Sequence, residues 1–325
     1  MAELEKGLQQ PVRACELHHE NWRNRTYRVE LASGAVVIAK QILIGTEGTV
    51  HRQADELECL SRLQVPGLHV PKPVALLPEK RVLIMEFAPG QTITALLLSR
   101  ARAEEGMRAC ELAGAVLARL HRAWAEAVCP LPVKQLADDM AAAPWRLSRR
   151  QRETLSRTLK ELGAARVSVG RIHYDYEPDN LLWDGEQLFL IDPSDGSHWG
   201  VQLFEVATFR SAVRRRLFME RLRRPFGWRR GLLNRAIRGF ERSYLAEGSG
   251  GDLEPRLFTL AIGFFELQRA AQLFVGEKVT IDIARRKDVI GWQNEGSLIN
   301  WAKLGLVEGY KCWLFSQLAR ELRGG

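Results

Sequence analysis

R-I-H-Y-D-Y-E-P-D-N-L-L-W-D-G-E-Q-L-F-L-I-D-P-S-D, residues 171–195, is the stretch around which the rest of the chain is organised. Its apolar runs, Leu181-Leu182-Trp183 and Leu188-Phe189-Leu190-Ile191, flank Asp184-Gly185, which predicts a hairpin closed by a two-residue turn. A hairpin folds back on itself, so Asn180 at the start of its first strand should meet Asp192 at the end of its second. An Asn and an Asp converging there offer two hard oxygen ligands, suited to a Mg²⁺ ion that keeps waters and grips phosphates. Asp175, on the same rim, can accept or orient a hydroxyl proton.

His-x-Asp-x4-Asn, a hairpin and then Ile-Asp is the layout of the catalytic and metal loops in the protein-kinase fold, although neither H-R-D nor D-F-G is present. His173, Asp175, Asn180 and Asp192 resemble instead the aminoglycoside phosphotransferase and choline kinase-like family, whose loop reads H-G-D-x-x-x-x-N and whose metal acid follows as I-D. The resemblance runs from about Arg23 to Phe209 and is most specific at those four residues.

Upstream, Tyr27, Val29 and Leu31 alternate with polar residues as in a half-buried strand, and Val36-Val37-Ile38-Ala39 is a second strand ending in Lys40. Lys40 stands where kinases carry the lysine that pairs with the α- and β-phosphates. Leu57, Leu60 and Leu63 give residues 51–63 a helical period. The resemblance implies that Glu56 from this helix pairs with Lys40 and holds it towards the phosphates. Residues 81–86 form a further strand before Phe87-Ala88-Pro89-Gly90, and the resemblance implies that backbone groups near Glu86 and Ala88 hold the adenine edge.

The implied fold is α+β and two-lobed like a protein kinase. A small antiparallel β N-terminal lobe with one long helix spans residues 1–87. A large, mainly helical C-terminal lobe over residues 88–325 carries the catalytic loop, the metal loop and the acceptor site. Departures from the family pattern stand out, among them Pro193 after Asp192, which is tolerated because the acid is retained. The turn before Tyr27 has no glycine, leaving Asn24, Arg25 or Thr26 to touch phosphate. Tyr174 replaces a small residue beside Asp175, and with Tyr176 it narrows the acceptor pocket, stacks on a sugar ring or simply packs. Glu205 stands where the family usually has an aspartate that anchors the catalytic loop. His121, ending a helix lined by Leu112, Val116, Leu117 and Leu120, reads as a packed structural histidine.

With 325 residues, 46% hydrophobic and 26% charged, the chain can bury a large core. Five scattered cysteines form no C-x-x-C pair and read as reduced thiols. No apolar run approaches the roughly 20 residues of a membrane span, and the polar N-terminus lacks a signal-peptide core, so a cytoplasmic location is expected. The charge is localised. Residues 210–242 hold twelve Arg against Glu220 and Glu241, an excess of +10 where the whole chain carries +8.

These residues predict an ATP- and Mg²⁺-dependent phosphotransferase acting on a hydroxyl of a small molecule, a sugar, amino alcohol, antibiotic or glycolipid-like acceptor. Asp175 would act on the acceptor, and His173 would buttress the loop. The competing reading is a pseudokinase, a nucleotide-binding or scaffold protein. A kinase that docks on an anionic surface through residues 210–242, with Phe218, Phe226 and Trp228 among the arginines, is a third; a membrane is the partner in view there, with nucleic acid the weaker one. A solvated helix face accounts for the same arginines.

Overall fold

A computed structural model describes residues 2–21, 23–142, 146–193, 198–223, 229–248, 253–285 and 297–323. It opens with α1 (Ala2–Leu8), β1 (Val12–Glu20), β2 (Asn24–Leu31), β3 (Val36–Ile42), α2 (Glu47–Arg62), β4 (Leu68–His69), β5 (Pro73–Leu77) and β6 (Val82–Glu86). Five of these strands make an antiparallel sheet in the order β1-β2-β3-β6-β5. Because side chains alternate across a strand, β3 sends Val37 and Ala39 to one face, where they pack with Leu8, Val29 and Leu31. Ile38 and Ile42 point to the other face and join the main core. Lys40 shares that inner face with them, and the same alternation buries it to 5% exposure. The helical period places Val50, Ala54, Leu57 and Leu60 of α2 in this core.

The chain continues through β7 (Gln91–Thr92), α3 (Ile93–Leu98), α4 (Ala103–Trp124), β8 (Ala125–Pro130), α5 (Val133–Ala142), α6 (Arg149–Leu162), β9 (Arg166–Ile172), β10 (Leu181–Trp183), β11 (Leu188–Leu190) and β12 (His198–Val201). It closes with α7 (Leu203–Arg223), α8 (Arg229–Ala246), α9 (Pro255–Arg285) and α10 (Ser297–Glu321). The architecture is α+β and kinase-like, as the sequence predicts. α4 packs closely on α8: a Cβ at Gly114 would lie 2.1 Å from the carbonyl oxygen of Phe240. No described helix is long and apolar enough to cross a membrane.

Two expectations are corrected. The hairpin is real, with Leu181 opposite Leu190 and Trp183 opposite Leu188, but it closes on four residues, Asp184 to Gln187. Asp184 Oδ1 accepts from the backbone N–H groups of Glu186 and Gln187 at 2.9 and 3.0 Å, which stabilises the longer loop. The basic segment is not a bare surface. Arg210 is buried among Glu241, Glu266 and Glu321, and Arg214 pairs with Glu266 while lying over the Trp313 ring. Phe218 packs on Tyr310 and Trp313. Phe226 and Trp228 lie outside the described residues.

Candidate active site

The loop between β9 and β10 is built from short turns. Glu177 N–H donates to the Asp175 carbonyl and Asn180 N–H to the Glu177 carbonyl, each at 2.9 Å. Tyr174 sits at φ +72°, a left-handed conformation unusual for an aromatic residue. Its backbone N–H is held by Glu205 Oε1 of α7 at 3.0 Å. Glu205 Oε2 lies 3.0 Å from His121 Nε2, whose Nδ1 lies 2.9 Å from the Tyr244 hydroxyl. The longer glutamate thus anchors the loop, and His121 is a buried link in that anchor. Tyr176 is fully buried and donates to the Ala113 carbonyl at 2.9 Å, so this tyrosine packs. Tyr174 stacks on His198 and Phe204.

Asn180 joins the two halves of the site. Its Nδ2 donates to the Asp175 carbonyl at 3.0 Å and to Asp175 Oδ2 at 3.2 Å, while its own carbonyl accepts from Ile191 N–H at 3.1 Å. That last bond ties the start of β10 to the residue before Asp192. The Asn180 amide spends its donors on Asp175, so its Oδ1 is the end left to accept or ligate. Asp192 Oδ1 pairs with Lys40 Nζ. Asp175 and Asn180 form one contacting pair and Asp192 and Lys40 another, and the Asn180–Ile191 backbone bond brings the two pairs to the same end of the hairpin. Among the described residues no cluster of three or more His, Cys, Asp or Glu is spaced to enclose a metal. An Asn–Asp oxygen pair still fits Mg²⁺, which binds through one or two protein oxygens and retains water.

Glu56 is brought to a different partner than expected. It is buried, and its Oε2 pairs with Arg171 Nη2 of β9, not with Lys40. Arg171 also donates to Cys59 Sγ at 2.8 Å and lies over the Trp124 ring. Glu56 takes the Arg171 guanidinium and Lys40 takes Asp192, so the two charges have different partners. Around the β1–β2 turn, Asn21 Oδ1 accepts from the N–H groups of Arg23 and Asn24 at 2.8 Å, doing with a side chain what glycine would do with backbone freedom. Arg25 Nε pairs with Glu20 Oε1 at 2.6 Å, and Thr26 lies opposite Lys40 in the β2–β3 register.

At the connection after β6, Glu86 N–H donates to the Lys72 carbonyl and its carboxylate accepts from Lys72 N–H, both at 3.0 Å. Ala88 has no backbone hydrogen-bond partner among the described residues. Gly90, at φ +104°, is required by close approach: a Cβ there would lie 2.3 Å from the carbonyl oxygen of Trp183. His173 is fully buried, and neither ring nitrogen has a partner among the described residues.

Residues outside the sequence reading complete the surroundings of Asp175. Arg269 Nη2 of α9 donates to Asp175 Oδ1 at 2.8 Å and to Glu177 Oε1 at 3.0 Å, and Arg215 pairs with Glu177 Oε2 at 3.0 Å. Arg216 pairs with Asp179 at 3.4 Å. The available signal for Arg269 was two charges, Glu266 and Arg269, inside the apolar run 257–271, since buried charges need partners. Burial raises the Asp175 carboxyl above its ordinary value and Glu177 adds to the rise, while Arg269 opposes it.

The sequence signature of the phosphotransferase enzyme family (APH) matches residues 14–240, well over half of the chain. The chain belongs to the phosphotransferase enzyme family. A comparison with curated proteins gave no match. Solved structures share the fold of this phosphotransferase at low identity. An amicoumacin kinase, hAmiN, in complex with AMP-PNP, Ca²⁺ and Ami, is 14% identical with a TM-score of 0.60, covering 98% of this chain and 96% of its own. A macrolide 2′-phosphotransferase, MphH, from Brachybacterium faecium is 14% identical with a TM-score of 0.59, covering 88% and 93%. A choline/ethanolamine kinase family protein from Mesorhizobium loti is 13% identical with a TM-score of 0.57, covering 96% and 93%. The family match makes the protein a phosphotransferase, and the solved structures show its fold.

Proposed function

We propose that this phosphotransferase moves the γ-phosphoryl group of ATP, with Mg²⁺, to a hydroxyl of a small molecule. The observation that carries the reading is the Asn180 side chain, which ties Asp175 to the rim of the hairpin where Asp192 and Lys40 meet. Asp175 orients the acceptor hydroxyl and accepts its proton; His173, buried beneath the loop, supports it. Lys40 exchanges its Asp192 partner for the α- and β-phosphates. Asn180 Oδ1 and Asp192 would hold Mg²⁺, which when bound neutralises and orients the phosphates. Glu86 and Ala88 flank the adenine edge, with the unpartnered backbone of Ala88 as its contact. Asn24 and Thr26 face the phosphates; Arg25, paired with Glu20, is the less available of the three. Glu56 acts at one remove, fixing α2 to β9 through Arg171. The nucleotide lobe comprises residues 1–87, and residues 88–325 supply the loops and the acceptor site. The likeness in fold to a kinase solved with AMP-PNP and Ca²⁺ supports a nucleotide and a divalent cation here.

The proposed acceptor lacks clustered positive charge. The acids beside Asp175 are matched, Glu177 by Arg269 and Arg215 and Asp179 by Arg216. A polycation would have to displace those arginines. Nucleotide binding is the first test. Mg-ATP should raise the thermal midpoint of wild type, and Lys40→Met and Asp192→Asn should lose most of that rise. Equal shifts in all three proteins would refute the placement of nucleotide at this rim.

A further inference from the structure

Arg269 lies beyond residue 240, where the family match ends, yet it reaches the central carboxylate of the site. Its Nη2 bridges Asp175 Oδ1 at 2.8 Å and Glu177 Oε1 at 3.0 Å, and its Nη1 lies 3.5 Å from Gln272 Oε1. The guanidinium carbon stands 5.8 Å from the Tyr174 ring centre, and only 13% of the side chain is exposed. Asn180 Nδ2 meets the opposite oxygen of the same carboxylate, Asp175 Oδ2, at 3.2 Å. Asp175 is thus gripped on both oxygens from two distant parts of the chain, a loop neighbour and a helix ninety-four residues downstream.

We propose that Arg269 is the positioning residue for Asp175, an assignment that rests on the phosphotransfer reading above. The carboxylate torsion of aspartate is broad and soft, so a single neutral donor on Oδ2 leaves the group free to turn. A charge-assisted donor on Oδ1 fixes the plane, and each oxygen keeps a lone pair for an acceptor hydroxyl. The same guanidinium sits between Asp175 and Glu177, whose like charges would otherwise push the carboxylate out of the rim. Arg215 holds the far oxygen of Glu177, so α7 and α9 together stretch the loop into place. A planar guanidinium that lies on an aromatic face, with Nη2 bridging two carboxylates and Nη1 turned to Gln272, is a task for arginine rather than lysine. Small displacements of a reacting group are expensive in rate, about 10²-fold for 1 Å.

The test uses the full chain with Arg269→Ala and Arg269→Lys, and Arg242→Met as a control at the surface pair with Glu111. Hydrogen exchange, read without substrate, reports the amides of residues 174–180. In Arg269→Ala their exchange should quicken by about tenfold, with β9 and α4 unchanged. Mg-ATP turnover, with water as the acceptor, should fall by roughly 10²-fold while KM for ATP stays within about threefold of wild type. Millimolar guanidinium should restore part of the turnover of Arg269→Ala and none of Asp175→Ala, and Arg269→Lys should lie between. Loop exchange and turnover equal to wild type would overturn the assignment. So would faster exchange spread over the helical part, or a loss that guanidinium leaves untouched, because both describe a merely structural arginine. A wild type that is active alongside an equally active variant sinks the role of Arg269 alone. A wild type with no Mg-ATP binding or turnover sinks the phosphotransfer reading together with it.

Discussion

Arg171 is the counter-ion of a carboxylate that has almost no water. Glu56 is 1% exposed and its Oε1 has no partner among the described residues, so its pairing through Oε2 is what makes its burial tolerable. Arg171→Met should therefore cost about 3 kcal/mol in urea unfolding, because it strands a buried charge. Adding Glu56→Gln should return much of that loss, and a double variant no better than the single would contradict the pairing. Glu205 works differently, since it serves two donors at once. Glu205→Ala leaves the Tyr174 N–H and His121 unsatisfied in the interior. Destabilisation of at least ~2 kcal/mol is expected, with turnover falling further than nucleotide affinity because Tyr174 leaves its strained conformation. Residues of this kind show where sequence reading stops. The apolar period of α2 was enough to put Glu56 on the buried side. Its partner depends on how β9 approaches α2, 115 residues away in sequence, and no local pattern encodes that distance. Asp175, Asn180 and Asp192 were legible because their spacing straddles one hairpin, a local object.

The β10–β11 hairpin was visible in its apolar runs, whereas its loop was misjudged by two residues. Asp184-Gly185 favours a tight turn, but the Asp184 side chain can cap two later N–H groups, and the longer loop offers both. Asp184→Ala should cost about 1 kcal/mol by thermal or urea unfolding and leave Mg-ATP turnover intact, since the loop lies at the closed end of the hairpin; a loss of turnover would mean that the closed end also sets the geometry of Asn180 and Asp192. Strands β1 and β8 escaped notice for a shared reason. V-R-A-C-E-L-H-H-E and A-E-A-V-C-P carry little apolar alternation, since both lie largely exposed at the edge of their sheets. Edge strands are held by backbone pairing more than by buried side chains, so their sequences are free to be polar. The glycine-free β1–β2 turn is a related case, because Asn21 supplies the turn hydrogen bonds from a side chain.

Across the molecule, charge serves assembly of the helical part. The arginines of residues 210–242 looked like one basic surface in composition, yet Arg210 and Arg214 tie α7 to α9 and α10, while Arg215 and Arg216 hold acids of the β9–β10 loop. A net charge counted along the sequence cannot distinguish these uses, because the matching acids Glu266 and Glu321 are far downstream. Glu247 makes a similar link between the end of α8 and Arg119 and Arg122 of α4. Hydrogen bonds from Arg119 and then Arg122 hold its carboxyl below the ordinary value. A carboxyl depressed in the folded state stabilises above its unfolded pKa, about 4.3 for glutamate, and loses that contribution as pH falls through the folded value. Thermal midpoints of wild type and Glu247→Gln should therefore differ at neutral pH and converge in acid. A gap that widens in acid would reverse the sign of this linkage.

Asp175, joined by Asn180 to the rim of Asp192 and Lys40, is proposed to direct phosphoryl transfer. The most direct measurement is transfer of label from [γ-³²P]ATP to hydroxylated acceptors and to water, with Mg²⁺ and with chelator, for wild type, Asp175→Asn and Asp192→Asn. Wild type should show Mg²⁺-dependent transfer, Asp175→Asn should lose roughly 10³-fold or more with nucleotide binding retained, and Asp192→Asn should gain little from added Mg²⁺. Transfer that survives Asp175→Asn, or proceeds equally well in chelator, would contradict the proposal.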